Sequence, residues 1–244
     1  MATSIIDPVR EKNEATLPHV GLMFLNPSDS TVLPDLARRF GLQRRYLFHS
    51  SLYASDTWFA AGPALGSPMA VLCLEKLVAL GARTLVVFGW CGGLRKECHV
   101  GDLVLPTWAQ SEEGTSNHYR DDQWLKRACY PHPSLRSRIA MELRNAGEFF
   151  LEGPLWTTDA PYRETEEKVR HYGDQGILGV DMEYSALCTV AEFRQVQLAA
   201  VMLVSDELWR RPWRKTFTSK AFKQRSRACC SLLAELTATG AWRL

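Results

Sequence analysis

The sequence lacks the features of a disulfide-stapled or membrane-spanning protein. Its seven cysteines are an odd number, follow no regular spacing and include no C-x-x-C pair. No apolar run approaches the roughly eighteen residues of a membrane span, and there is no apolar signal region near residue 1. We therefore expect a protein of the reducing cytoplasm with no membrane partner.

The sequence also lacks an excess of charge of either sign. Its 29 basic and 27 acidic side chains leave a net charge of +2, which gives no electrostatic reason to expect nucleic acid as a partner. Cys98, His99, His118 and His132 form no standard metal-ligand spacing, so we expect no metal. These absences favour small-molecule chemistry.

Alternating strand and helix patterns are present along the chain. Residues 19–25 and 84–88 are apolar runs typical of buried strands, and residues 67–80 carry apolar side chains at helical spacing. A second unit places a helix over 180–196 before a strand over 198–204. This order predicts an α/β fold whose sheet is buried on both faces.

The length and the 46% hydrophobic content suit one large core. We expect a polar N-terminal extension over residues 1–18 and a single domain over residues 19–244.

Three motifs occur in a fixed order in the chain. They read Phe88-Gly89-Trp90-Cys91-Gly92-Gly93-Leu94, then Val100-Gly101-Asp102-Leu103-Val104-Leu105-Pro106, then Gly179-Val180-Asp181-Met182-Glu183-Tyr184-Ser185-Ala186-Leu187 with Leu203-Val204-Ser205-Asp206 after it. Together they resemble the purine nucleoside and uridine phosphorylase superfamily, from about residue 60 to residue 208. The resemblance implies a three-layer fold, with a central mixed, twisted sheet flanked by helices, and cleavage of the N-glycosidic bond of a nucleoside.

Asp206 follows an apolar strand, and ligands of open α/β sheets bind at strand ends. A carboxylic acid beside purine N7 can donate a proton as the base leaves. The resemblance assigns this catalytic role to Asp206 and favours a purine-type base, because uridine-specific relatives usually lack the aspartate. The alternative is that Ser205 or Asp206 caps the following helix.

The resemblance also assigns the ribose contacts. Glu183 binds the sugar hydroxyls, Met182 packs on the sugar, and Thr115 is a further ribose contact. A carboxylate suits this task because it accepts strong, charge-assisted hydrogen bonds from two neighbouring hydroxyls. The alternative is that Asp181 and Glu183 are ordinary acids at a helix start, where they favour the helix dipole.

Recognition of the base is expected from two parts of the chain. The aromatic segment around residues 156–163 offers stacking faces, although large aromatics also fill cores. Uracil selectivity is not expected, because the glutamine of uracil-binding relatives is absent and Arg163 is followed by Glu164. The candidate base contacts are Cys91, Gly92, Trp156, Tyr162, Asp181 and Ser205.

The chain departs from the superfamily where phosphate binds. Relatives carry an arginine two residues before the first glycine and a serine or threonine just after it, whereas this chain has Val87 and Trp90. Asp29 and Trp90 are therefore candidates for the acceptor site, with Asp29 as a base for water. Arg44 and Arg45, supplied by a neighbouring subunit, are alternative phosphate anchors. Phosphate as a co-substrate and water both remain open, and no other cofactor is expected.

The partners implied are a small-molecule nucleoside and further copies of the chain, as a dimer, trimer or hexamer. The basic and aromatic stretch 209–215 is interpreted as a lid or a subunit contact, not a nucleic-acid site. Loss of the phosphate ligands keeps one alternative open, a nucleoside-binding protein that retains the fold without turnover.

Overall fold

The computed structural model describes residues 4–120 and 128–242. The strands within these ranges are β1 Val20–Phe24, β2 Gln43–Arg45, β3 Ser51–Ala54, β4 Phe59–Gly62, β5 Thr84–Gly93, β6 Leu103–Ser111, β7 Ala128–Cys129, β8 Phe150–Thr157, β9 Gly179–Asp181 and β10 Gln197–Glu207. The α-helices are α1 Pro27–Ser30, α2 Leu33–Phe40, α3 Ser67–Ala79, α4 Pro133–Asn145, α5 Glu166–Asp174, α6 Tyr184–Phe193 and α7 Lys220–Ala238. Short 3₁₀ helices cover Thr115–His118 and Pro161–Arg163. None of the described helices is long and apolar enough to cross a membrane.

All the strands belong to one mixed sheet, in the order β10-β6-β8-β9-β5-β1-β4-β3-β2, with β7 paired to β6. Strand β10 also pairs with β5, so that β5, β10, β6, β8 and β9 form a closed ring. The pairings of β1 with β4 and β5, and of β5 with β10, are parallel. The mixed α/β sheet predicted above is confirmed.

Helices cover both faces of the sheet. On one face, side chains of α3 and α6, such as Leu74 and Leu187, join a core with alternate strand residues. On the other face, Leu36 of α2, Ile139 of α4 and Leu233 of α7 form a second core. The three-layer arrangement follows from strands whose side chains point alternately to two buried faces.

Strand β5 is longer than its apolar run predicts. The sequence indicates a strand over residues 84–88 followed by a glycine loop, but the strand continues to Gly93. Gly89, Gly92 and Gly93 have no positive φ, so unusual dihedrals do not explain them. Close packing explains the glycine at position 92, because a Cβ there would lie 2.9 Å from Leu208 Cδ1.

The segment around Asp181 also differs from the prediction. A helix is predicted from residue 180, but β9 occupies Gly179–Asp181 and α6 begins at Tyr184. Val180 pairs with Gly92 of β5 and Trp156 of β8, which holds it in the sheet. By contrast, the helix predicted over 67–80 is confirmed as α3.

Candidate active site

A cavity of about 470 Å³ lies at the carboxyl ends of β1, β5, β9 and β10. This is the edge of an α/β sheet where ligands usually bind. The cavity brings together most of the predicted site residues, which are Trp90, Cys91, Gly92, Tyr162, Asp181, Met182, Glu183, Ser205 and Asp206.

Asp206 lies near the end of β10 with both carboxyl oxygens engaged. Ser205 Oγ donates to Oδ1 at 2.6 Å, and the indole N–H of Trp213 donates to Oδ2 at 2.7 Å. These two donors fix the orientation of the carboxyl group. Asp206 does not act as a helix cap, because α7 begins at Lys220 and is capped by Ser219.

Glu183 is buried in the cavity wall, just before α6. Its Oε1 accepts a hydrogen bond from the backbone N–H of Gly66, the N-cap residue of α3, at 2.6 Å. Burial, followed by the charge of Asp181, raises the pKa of Glu183 to about 8. Further hydroxyl donors would favour its ionised form, so a sugar diol is a chemically suitable ligand for this carboxyl group.

Asp181 lines the same cavity, but its carboxyl group accepts hydrogen bonds from the protein itself. Oδ1 accepts Thr157 Oγ1 at 2.6 Å, and Oδ2 accepts the backbone N–H groups of Glu183 and Tyr184 at 3.0 and 2.6 Å. Burial raises the pKa of Asp181 to about 6, against these hydrogen bonds. The helix-start interpretation therefore holds for Asp181, whereas Glu183 stands at the N-cap position of α6 but makes no side-chain capping hydrogen bond.

Trp90 occupies a further part of the cavity wall. Its ring packs edge-on against Phe222, with centroids 4.8 Å apart, and lies 6.0 Å from Phe217. Its indole nitrogen is buried, and no acceptor in the described ranges lies at normal hydrogen-bond geometry to it. An indole thus fills volume at the end of β5.

Asp29 lies behind this wall and does not line the cavity, which corrects the prediction of an acceptor-site role. The short helix α1 buries it against α7, where Ser226 donates to Oδ1. Burial raises the pKa of Asp29 to about 6, opposed by Ser226 and by the nearby indole of Trp90. Asn26, which caps α1, faces the cavity instead.

Trp156 is likewise outside the cavity, and its predicted stacking on the base is wrong for this chain. It is fully buried in a separate cluster, with its ring 4.5 Å from Tyr172 and its Nε1 donating to Glu112 Oε2 at 2.5 Å. The alternation of side chains along β8 turns this residue toward α5.

Thr115 is also absent from the cavity wall. It begins a 3₁₀ helix. The backbone N–H of Gly114, just before this helix, donates a hydrogen bond to Asp159 Oδ2 at 2.9 Å. Tyr162 does reach the site, but its side chain is fully exposed at the mouth.

Several cavity residues were not predicted from the sequence. Glu164 comes from the loop before α5, while Arg211, Trp213 and Phe217 come from the segment between β10 and α7. The basic and aromatic composition of residues 209–215 was the feature of the sequence that could have indicated Arg211 and Trp213. The interpretation of this stretch as a lid agrees with the positions of both residues in the cavity wall.

The sequence pattern of the phosphorylase superfamily matches residues 31–238. The chain belongs to this superfamily. It is 28% identical over 165 residues to a guanosine phosphorylase of Halorubrum lacusprofundi. The matched region covers 68% of this chain and 67% of the relative.

Two solved structures share the fold. A uridine phosphorylase of Vibrio fischeri superposes with a TM-score of 0.74 at 20% identity, covering 93% of this chain and 91% of that one. An AMP nucleosidase of Bacteroides thetaiotaomicron superposes with a TM-score of 0.72 at 23% identity, covering 92% and 89%.

The chain departs from the phosphorylase superfamily pattern at the expected phosphate anchors. Val87, at the position of the usual arginine, is fully buried among apolar side chains. Arg44 and Arg45 lie on β2 at the edge of the sheet, where Arg45 donates to the carbonyl of Thr16 at 2.8 Å. Neither arginine lines the cavity of its own chain.

The described wall of the cavity has four carboxyl groups and one cationic side chain. Its carboxyl groups belong to Glu164, Asp181, Glu183 and Asp206, whereas Arg211 supplies the cation and already pairs with Glu166 at 2.6 Å. Such a wall disfavours an anionic ligand. No cluster of three potential metal ligands occurs in the described part of the chain, and the expectation of a metal-free site stays a prediction.

Proposed function

We propose that this superfamily member cleaves the N-glycosidic bond of a nucleoside with a purine-type base. The observation that carries the proposal is the placement of Glu183 and Asp206 in the wall of one cavity of about 470 Å³. A pocket of this volume suits a nucleoside, and the two carboxyl groups suit its two halves.

Each carboxyl group has a defined task in this reaction. As the bond breaks, the ribose becomes cation-like, and hydrogen bonds from its hydroxyls to Glu183 strengthen in the transition state. The departing base gains negative charge at its nitrogens, which a proton at N7 relieves. The base would lie beside Asp206 and Met182 would pack on the sugar, as the resemblance implies.

A purine-type base is supported by the residues around Asp206. Its carboxyl group is oriented by Ser205 and Trp213, as a contact with ring nitrogens would require. The similarity to the guanosine phosphorylase of Halorubrum lacusprofundi points the same way.

We propose water as the acceptor in place of phosphate. A buried phosphate dianion requires donors and positive charge, and without them its burial is strongly disfavoured. Trp90 and Val87 stand where the resemblance places phosphate ligands, and Arg211 is engaged with Glu166. The same argument favours an uncharged nucleoside over a nucleotide.

One observation favours a second candidate, nucleoside binding without turnover. Asp29 is the carboxyl group proposed to activate water, but it is buried behind Trp90 and does not reach the cavity. A chain without this base and without phosphate anchors would keep the nucleoside contacts and lose the reaction.

Release of free base tests these proposals. The protein is incubated with inosine, guanosine, adenosine, uridine and methylthioadenosine, with and without phosphate, and the free base is measured by chromatography. We expect base release from a purine nucleoside without phosphate. Release only with phosphate would overturn the water proposal, and tight nucleoside binding without release would support the second candidate.

We also propose that the chain forms a homo-oligomer through the mouth of the cavity. Leu65 and Tyr162 line that mouth and are half or fully exposed, which is unfavourable for a monomer. Sedimentation of the wild type and of Leu65→Asp tests this, because the substitution should dissociate the assembly.

Since all seven cysteines are free thiols, we propose the reducing cytoplasm as the location of the protein.

A further inference from the structure

Glu164 is a cavity residue that neither the resemblance nor the proposed function uses. It lies in the loop between the 3₁₀ helix at Pro161–Arg163 and α5, and its side chain is partly buried in the cavity wall. Within the described ranges, no backbone or side-chain group donates a hydrogen bond to its carboxyl group. A partly buried carboxyl group without donors is poorly stabilised as an anion.

The surroundings of Glu164 also disfavour its ionised form. Asp206 lines the same cavity and has two donors on its oxygens. Burial and then the charge of Asp206 raise the pKa of Glu164 to about 8. The other charged or titratable groups in the described wall of the cavity are the thiol of Cys91 in β5, Asp181 at the end of β9, Glu183 just before α6, the phenol of Tyr162, and Arg211, which is paired with Glu166.

The two carboxyl groups thus differ in what they can donate. Asp206 accepts an O–H and an N–H donor, so a proton on either of its oxygens would compete with one of these bonds. Glu164 has no such competitor. Two carboxyl groups of one site can take different roles when their surroundings differ in this way.

We propose that Glu164 holds the proton that passes to the departing base, while Asp206, whose two oxygens are held by donors, orients the base. This inference rests on the proposed function and assigns a further catalytic residue to the same site. Glu164 and Asp206 line the same cavity, where a base held by Asp206 would also meet Glu164.

The step balances without any further reagent. The bond between C1′ and N9 breaks, and its electron pair moves onto the base. The O–H bond of Glu164 breaks, its proton goes to N7, and Glu164 becomes a carboxylate. Water forms the new bond at C1′ and releases a proton to solvent, from which Glu164 is protonated again.

The test compares two leaving groups. Glu164→Gln keeps the shape of the side chain but has no acidic proton, and Glu167→Gln is the matched control on the exposed side of α5. Both variants and the wild type are assayed with inosine and with 7-methylinosine, whose base is already cationic and leaves without taking up a proton. Circular dichroism verifies folding, and Glu164→Asp is the conservative variant.

We expect Glu164→Gln to lower kcat/KM for inosine by about 10² or more, in the range of general acid catalysis. The rate with 7-methylinosine should change less than threefold, and Glu164→Asp should recover part of the activity on inosine. The decline of the wild-type rate above about pH 8 should be absent in Glu164→Gln. Glu167→Gln should match the wild type throughout.

Two results would overturn the inference and leave the proposed function intact. One is an inosine rate for Glu164→Gln within threefold of wild type. The other is an equal loss with both nucleosides, which would indicate a structural or base-binding role only. A wild-type protein that releases base from neither nucleoside would instead overturn the proposed function, and this inference with it.

Discussion

The indole N–H of Trp213 donates a hydrogen bond to Oδ2 of Asp206 at 2.7 Å. The two residues belong to different parts of the site, since Asp206 lies at the end of β10 and Trp213 in the segment that covers the cavity. The orientation of the Asp206 carboxyl group therefore depends on the position of the covering segment.

Replacing Trp213 by phenylalanine tests this dependence. The change removes the donor to Asp206 and keeps an aromatic ring, so kcat/KM for a purine nucleoside should fall about tenfold, as for loss of a hydrogen bond to a charged group. Steady-state kinetics measure this. Trp209→Phe is the control, because Trp209 donates to the carbonyl of Cys98 and not to Asp206. Equal kinetics for both variants would contradict the prediction.

Asp206→Asn should preserve folding and lower base release by about tenfold, as for loss of one strong hydrogen bond that orients the base. Asparagine keeps the shape of the side chain but loses the charge that orients the base and raises the pKa of Glu164. Because the pKa of Glu164 then falls, the decline of the rate at high pH should move to lower pH. Rates across pH 5 to 9 provide the measurement, and activity within threefold of wild type would remove Asp206 from the chemistry.

Glu183→Gln should impair cleavage of ribosides selectively. The amide weakens the hydrogen bonds to the sugar hydroxyls, and a loss of about ten- to a hundredfold is expected from the strength of charge-assisted bonds. With 2′,3′-dideoxyinosine, which has no hydroxyl at either position, the variant and the wild type should be nearly equal. If the variant loses as much with the dideoxynucleoside as with inosine, Glu183 does not bind the diol.

Trp90→Ser should create phosphate affinity that the wild type lacks. The substitution opens volume at the end of β5 and adds a hydroxyl donor, and calorimetry with inorganic phosphate measures the gain. Trp90→Phe keeps the volume filled and serves as the control. Val87→Arg should instead destabilise the protein, because Val87 is fully buried in the core. Tight phosphate binding by the wild type would contradict the prediction.

The stability of the protein should depend on pH through Glu164. Its pKa is raised from 4.5 to about 8 in the folded protein, so its contribution to stability is complete below about pH 4.5 and is lost as pH rises through about 8. Glu164→Gln should therefore be more stable than wild type at pH 9, by about 1 kcal/mol after allowance for solvent screening, and nearly equal at pH 4.5.

Melting temperatures of Glu164→Gln, Glu167→Gln and the wild type between pH 4.5 and 9 measure this trend. Glu167 is exposed, so its variant should follow the wild type at every pH. A constant difference between Glu164→Gln and the wild type would show that Glu164 titrates as an ordinary surface carboxyl group.

Local sequence patterns were sufficient for much of the architecture. The apolar runs of β1 and β5 and the helical spacing of α3 appear where they were predicted, because burial imposes the same periodicity on any sheet covered on both faces. The motifs at the ends of β5 and β10 also placed Cys91 and Asp206 correctly at the edge of the sheet that binds ligands.

Tertiary structure decided which side chains face the cavity. Asp29 and Trp156 belong to segments close to the site, but α1 turns Asp29 toward α7, and the alternation along β8 turns Trp156 into a separate core. Glu164 and Trp213 reach the site from loops without regular periodicity. Contacts such as that between Glu183 and the N–H of Gly66, 117 residues apart in sequence, depend on how the layers pack, which no local pattern of residue types encodes.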